Sequence, residues 1–586
     1  MMLLKHQVGD FLAHRFEELA VKDYFVVPGD YNLDLVDQLL RNPNLRMINC
    51  CNELNAGYAA DGYARVSKSN IAVVVVTYMV GSLSVLNAIA GAYSEKLKVI
   101  VVCGGPMSRH CSSDPAVHHS LGIPDKDQSR KIFEQVTCAS IRLDQQNTPD
   151  DIDHVLQECL AKSLPVYMEF PVDLVNKVFF DPTAMKPLVR PSTSGQLGNT
   201  DEALRYVWQA WVSARMPVLL VGGRARHFLS VKVIERFMSA IGCVAFYLLD
   251  GKSQLSEAHP QCGGLFWSVV SDPGVEVTVR ESDLWITVGC RWNDLHTLRS
   301  LDVSKERSRI LAIEESSIRT PDGHTINNIP TKAVIQALIE RGLPPNDTSL
   351  KAFLQYQDQD LHSNQKYSPP GQNAESNVTL DNIVDRISSV ISRNDTIVAD
   401  AGESWFAASR VRLPPGADLQ TQLLYSSTGW SLPASMGCQL ARPDGRTIVI
   451  LGDGSFQMTC QELSTMLRYE VNAIVVIINN HGYQIEEMIH KGPYNQIGSW
   501  NYAGLAAAIW HETGTGKSLL GKHSVFSAKI QTIKQLDAAF LHASLYPRVL
   551  AVLECCIDPA KPSSTVQIFG SKLVHSDIIP CPATPQ

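Results

Sequence analysis

The sequence predicts an α/β protein of three consecutive domains, each built on a parallel sheet. Three observations carry this reading: a length of 586 residues, three successive stretches in which short β-branched runs alternate with helical patterns, and two polar stretches that separate them. A single hydrophobic core stops growing near about 250–300 residues, so this length requires two to four domains. Alternating strand and helix patterns imply parallel strands whose crossover helices cover both faces of the sheet.

In the first unit the strands are predicted at 24–27, 72–76, 99–102 and 166–170. Residues 182–200, rich in Pro, Ser and Gly, read as a linker. The second unit has predicted strands at 217–221, 244–248, 284–288 and 310–313, and is followed by a polar stretch over 344–377 that reads as a surface crossing. The third begins near Leu380, with strands at 396–399, 447–451, 473–478 and 549–553. The resulting domain boundaries are 1–188, 195–345 and 375–586.

Composition narrows the function classes. With 19% charged and 45% hydrophobic residues the chain belongs with soluble globular enzymes. A net charge of −8 without a basic run argues against nucleic acid or an anionic membrane as partner. Fourteen cysteines, including the neighbours Cys50 and Cys51 and the neighbours Cys555 and Cys556, lack both disulfide-framework and zinc-site spacing and are expected to be reduced. Lys5, His6 and Asp10 interrupt the apolar run that a signal peptide needs, so a cytoplasmic location is expected. The glycosylation sequons at Asn346, Asn377 and Asn394 then read as chance matches. Residues 71–94 carry no charge and are long enough to span a bilayer. Their β-branched start suits a buried parallel strand, however, and Thr77, Gly81, Ser82 and Ser84 mark a turn into a helix.

The sharpest motif is Gly452-Asp453-Gly454-Ser455, after a predicted strand and before a helical pattern over 457–469. Asn480 lies in the Asn479-Asn480 pair that ends the next strand. A carboxylate and an amide oxygen thus meet at adjacent strand ends, and hard oxygen ligands of this kind suit Mg²⁺. A helix amino terminus beside them suits a diphosphate. No GxGxxG turn opens a helix after the first strand of any unit, which argues against a nicotinamide dinucleotide fold.

Gly-Asp-Gly with a downstream Asn-Asn resembles the motif that binds thiamine diphosphate (ThDP). The segment from Cys51-Asn-Glu53 to Tyr63-Ala-Arg65 resembles a segment of the pyruvate decarboxylase family, as do Val27-Pro-Gly-Asp30-Tyr-Asn, the pair His118-His119, and Ile478-Asn-Asn-His-Gly-Tyr-Gln-Ile-Glu486-Glu-Met-Ile-His490. Together the matches cover nearly the whole chain. The resemblance implies the fold of ThDP-dependent enzymes: a pyrimidine-binding domain, a central domain and a diphosphate-binding domain. It implies Mg²⁺ coordination by Asp453, Asn480 and the carbonyl of Gly482. It also implies cofactor contacts from Glu53, Thr77, Ser404, Ser426 and Thr428, from Gly452, Asp453, Gly454 and Ser455, and from Asn480 and Tyr483.

The expected reaction is non-oxidative decarboxylation of pyruvate to acetaldehyde and CO₂. The carbanion (ylide) of the coenzyme attacks the keto carbon, and CO₂ leaves as the thiazolium takes up the electrons in an enamine. Glu53 is expected to hydrogen-bond the aminopyrimidine and so activate the coenzyme. Asp30, His118, His119 and Glu486 are expected to handle protons in a secluded cleft. Trp405, Ile485 and Ile489 are expected to line a small pocket suited to a methyl substituent. Because Glu53 and Asp453 belong to the two outer domains, the resemblance implies a site formed between the subunits of a homodimer, with a homotetramer as the expected assembly.

Several positions depart from the family pattern. Thr428 stands where a larger aliphatic residue is usual, Ser426 where glycine is usual, and Glu403 where aspartate is usual. Glu487 replaces a common valine and is expected to face away from the site, because helix neighbours point about 100° apart. Ile568-Phe-Gly570 differs from the usual Trp-Gly near the closing tail. The alternatives are a decarboxylase of larger 2-oxo acids (indolepyruvate, phenylpyruvate or branched-chain acids), an acetolactate-forming carboligase, and a non-catalytic homologue.

Overall fold

A computed structural model describes residues 6–108, 117–122, 125–188, 197–298, 300–363, 373–509 and 525–574. The first six strands are β1 (Asp23–Val26), β2 (Arg46–Asn49), β3 (Ile71–Val76), β4 (Lys98–Gly105), β5 (Ala139–Arg142) and β6 (Val166–Pro171). They form a parallel sheet in the order β2-β1-β3-β4-β6-β5. β3 and β4 carry β-branched runs at its centre, where both faces are covered.

The second sheet comprises β7 (Pro217–Val221), β8 (Ala245–Tyr247), β9 (Cys262–Leu265), β10 (Leu284–Val288), β11 (Ile310–Ile313), β12 (Ser317–Arg319) and β13 (Thr325–Asn327). Its order is β13-β12-β11-β10-β7-β8-β9, parallel except for the antiparallel pairings of β12 with β11 and β13 at one edge. The third sheet comprises β14 (Thr396–Ala399), β15 (Asp418–Thr421), β16 (Thr447–Gly452), β17 (Ile474–Asn479), β18 (Val525–Ile530) and β19 (Leu550–Cys556). Its order, β15-β14-β16-β17-β19-β18, repeats that of the first sheet strand for strand.

Residues 71–94 form β3 and the helix Val80–Ser94, and no helix among the described residues is long and apolar enough to cross a membrane. The described cysteines are all free. Two linker expectations change. The stretch 344–377 contains the helix Thr348–Ser363, which docks through buried Ser349 and Phe353, the latter edge-on to Phe246 at 5.3 Å. Its dense Gln and Asp content hides this narrow apolar stripe from the pattern. The stretch 182–200 is described only at 182–188 and 197–200, and its last residues already belong to the helix Leu197–Ser213.

The outer units are locked together by two helices, Glu53–Val66 and Ser431–Ala441. Their backbones approach so closely that a Cβ on Gly62 would lie 2.1 Å from the Ala434 carbonyl oxygen, and one on Gly437 would lie 1.9 Å from that of Ala59. Polar groups seal the crossing. Arg65 pairs with Asp61 at 2.7 Å and donates to the Thr421 carbonyl at 3.0 Å, while the Trp430 indole N–H donates to Asp61 at 2.9 Å. A methyl group cannot enter this crossing without separating the helices, and overpacking of a tight core costs about 1–3 kcal/mol or more. Gly437→Ala is therefore expected to lower the midpoint of thermal unfolding by several degrees. An unchanged midpoint would show that the two helices can part without cost.

Candidate active site

A cavity of about 260 Å³ opens at the carboxyl ends of β14, β16 and β17. Crevices at this end of a parallel sheet are where such folds bind ligands. Ser426 and Thr428, Gly452 to Ser455, Asn480, Gly482 and Tyr483 line it together with Trp405, Ile485, Glu486 and Ile489. Ser404 is fully buried beside this wall, with its hydroxyl unpartnered among the described residues.

The helix predicted from residue 457 begins earlier, at Asp453, so the Gly-Asp-Gly motif forms its first turn. Asp453 is 1% exposed, and its carboxylate accepts from the Gly454 N–H at 2.9 Å. Burial pushes its carboxyl up to about 6, against the opposing pull of backbone N–H groups of Gly454, His481 and Gly482. The Asn480 side chain donates from Nδ2 to Glu403 Oε2 at 3.0 Å, while its Oδ1 is buried with no partner among the described residues. A carboxylate only accepts, so Glu403 fixes which end of the amide is left free. A buried carboxylate next to an orphaned amide oxygen is a donor set that fits Mg²⁺. Around Gly452 an added Cβ would meet nothing within 4 Å, so the motif faces open space.

Two left-handed residues border this cavity. Ser426 has φ +55 and His481 φ +65, left-handed values that cost side-chain-bearing residues about 1–2 kcal/mol. The conformation at 426 explains why glycine suits that position. Trp405, 4% exposed, serves both as core and as cavity wall.

A second cluster sits in the first unit. His118 Nε2 lies 2.7 Å from Asp30 Oδ2, and His119 Nε2 lies 3.8 Å from Asp30 Oδ1. Tyr31 stacks on the His118 ring at 4.8 Å, and its hydroxyl lies 3.1 Å from Nδ1. Glu53 begins its helix, capped by Asn52, and Glu53 Oε1 comes within 3.0 Å of where a Cβ on Gly81 would stand. Thr77 is buried against Gly29, with its hydroxyl unpartnered among the described residues.

The structure therefore gathers the candidates into two groups, and Asp30, Glu53, Thr77, His118 and His119 are not among the residues lining the 260 Å³ cavity. The expected seclusion is not supplied by one chain: side-chain exposure is 53% at Asp30 and 58% at His118, and Glu486 is exposed. Glu487 turns away as expected, accepting from Asn495 Nδ2 at 2.8 Å. Sequence reasoning missed Phe569, Leu295 and Gln484 as lining residues, and Tyr31 beside the histidines. Phe569 arrives on the helix Ser564–Val574 and packs on Phe406 at 5.1 Å, a contact signalled only by the unusual Ile568-Phe-Gly570. Leu295 comes from the central unit, with no local signal.

Comparison with known proteins supplies three family-model matches. They are the thiamine pyrophosphate enzyme N-terminal TPP binding domain over residues 6–130, the central domain over 204–340 and the C-terminal TPP binding domain over 400–539. The chain is 32% identical to a probable pyruvate decarboxylase, Pdc101, of Schizosaccharomyces pombe, covering 98% of this chain and 97% of the relative. It is 34% identical to pyruvate decarboxylase 1 of Pisum sativum over 92% of this chain and 88% of the relative. Identity to a pyruvate decarboxylase of Neurospora crassa is 31%, over 98% and 97%.

Two outcomes follow from the buried acids. Because the Asp453 carboxyl is raised in the fold, to about 6 from 3.8, its ionisation opposes folding; the penalty is absent below 3.8 and complete above about 6. Without cofactors, Asp453→Asn is expected to stabilise the protein at pH 8 by up to about 3 kcal/mol and to have little effect at pH 3.5, read from denaturant midpoints. Equal midpoints at pH 8 would contradict the burial argument. Glu403→Gln frees Asn480 to turn its Nδ2 toward the cavity, and Mg²⁺ affinity is expected to fall about 10–100-fold in a titration followed by thermal shift.

Proposed function

Since this chain belongs to the pyruvate decarboxylase family of thiamine pyrophosphate enzymes, we propose that it converts pyruvate to acetaldehyde and CO₂ with thiamine diphosphate and Mg²⁺. The observation that carries the reading is the unpartnered Asn480 amide oxygen, held by Glu403 within the wall that also contains Asp453. Asp453, Asn480 and the Gly482 carbonyl would hold Mg²⁺. Gly454 and Ser455 would face the diphosphate, Ser426 and Thr428 the body of the coenzyme, and Glu53 its aminopyrimidine. Bound there, thiamine diphosphate supplies the electron sink that lets the substrate carboxylate depart as CO₂.

The remaining work falls to side chains of the protein. Asp30 and His118, 2.7 Å apart, can share a proton and pass it at Nε2 or Oδ2. His119 stands next to them with its ring 4.5 Å from that of His118, a reserve donor at the same mouth. Glu486 contributes an acid on the cavity side. Trp405, Ile485 and Ile489 leave little room for a substituent beyond methyl, which selects pyruvate over aromatic 2-oxo acids.

Each cluster alone lacks half of these groups. A homodimer in which the first unit of one subunit meets the third unit of the other completes the site, and two dimers make the tetramer. We place the enzyme in the cytoplasm, with domains over 1–188, 195–345 and 375–586.

The purified chain is expected to release acetaldehyde from pyruvate only when ThDP and Mg²⁺ are supplied. Glu53→Gln is expected to lower that rate at least ~100-fold with ThDP still bound. Undiminished turnover in the variant would remove Glu53 from the activation step. A preference for phenylpyruvate over pyruvate would instead favour a decarboxylase of larger 2-oxo acids and defeat the pocket argument.

A further inference from the structure

The central sheet changes its direction of winding between β7 and β10, since the chain leaves β7 toward β8 on one side and β10 toward β11 on the other. At such a switch point the loops beyond the strand carboxyl ends diverge and leave a crevice. The two loops here start in backbone contact: a Cβ on Gly222 would lie 2.5 Å from the Gly289 carbonyl oxygen. Beyond that contact they separate around a cavity of about 360 Å³.

The charge in this cavity is one-sided. Arg224 follows β7, Arg291 follows β10, Arg319 ends β12, and Arg307 closes the rim, with Glu314 as the acid in the wall. Among the described residues none of the four guanidinium groups is ion-paired, whereas nearby Arg309 pairs with Glu306 at 2.7 Å. Arg224 is held by a 2.9 Å hydrogen bond to the Ser94 carbonyl, so it cannot swing out into solvent without losing a partner. Burial and the neighbouring Arg291 oppose its charge, while Glu314, Glu95 and Asp250 favour it. Glu314 is offset by Arg224, Lys96, Arg291 and Arg319. With Glu314 ionised, four arginines against one carboxylate leave a net charge of +3 among the lining residues, with Glu95 and Asp250 acting on Arg224 from outside that lining. Four guanidinium groups in one wall can donate several hydrogen bonds to phosphate oxygens.

We propose that this crevice binds a phosphorylated small anion of the diphosphate class, at a site separate from the coenzyme cavity. A single carboxylate would leave most of the positive charge uncompensated, whereas a diphosphate offsets it. The ligand could be free inorganic diphosphate or the diphosphate of a nucleotide, and binding measurements separate the two.

The test uses the full chain preloaded with ThDP and excess Mg²⁺, so that the coenzyme site is filled. Calorimetric titration at low salt with inorganic diphosphate, ADP and adenosine is expected to show one site per chain for the first two and none for adenosine. Tighter binding of ADP identifies a nucleotide, and equal binding identifies the phosphate moiety alone. Arg291→Ala/Arg319→Ala is expected to weaken binding at least ~10-fold with decarboxylation unchanged, and exposed Arg307→Ala provides a second variant should the first fail to fold. Asp453→Asn is expected to leave it intact, which separates the crevice from the coenzyme site. Binding no tighter than about 1 mM, or equal binding by wild type and the arginine variants, would overturn the proposal.

Discussion

The crossing of Glu53–Val66 over Ser431–Ala441 is the constraint on which the rest depends. One helix begins at Glu53, and the other begins just after the strained loop that carries Ser426 and Thr428. With Gly62 and Gly437 at the contact, the two backbones sit at one spacing, and neither end can shift without the other. Further polar bonds cross the same seam: Asn55 donates to Glu462 at 2.8 Å, Tyr58 bonds Ser427, and the Tyr425 hydroxyl donates to Asn87 Oδ1 at 2.7 Å. Each such bond is costly to break singly, which ties the first and third units together.

The site itself is organised at the expense of stability. Asp453 is held buried among a few backbone donors, Asn480 keeps an oxygen without a partner, and Ser426 and His481 hold left-handed backbones. Each of these would be relieved by a blander residue. Asp453, Asn480 and Ser426 share one cavity wall, and fixing such groups in advance is what a preorganised binding site requires, since groups that relax in the free protein would have to be reordered on binding.

Much of the fold was legible because the central strands of parallel sheets are continuous β-branched runs. The strands left unread are edge strands or short pieces: β2 and β5 are partly exposed and carry arginines, and β18 mixes Lys529 with small residues. The helix over 348–363 was hidden because few of its side chains are apolar, and docking of Phe353 outweighs its polar surface. In the site, Gly452 to Ser455 could be read because the motif is local in sequence. Phe569 and Leu295 could not, since they reach the cavity from elements more than a hundred residues from the Gly452 to Ser455 motif. Nor could periodicity show that one chain keeps its two clusters apart.

The shared strand order of the outer sheets gives those clusters equivalent addresses. Asp30 and Thr77 follow the first and third strands of one sheet, and Glu403 and Asp453 follow the first and third strands of the other. One winding plan serves twice, once furnished with imidazole and acid, once with oxygen donors. Such a division of labour allows either half to drift in its loops while its twin keeps its own task.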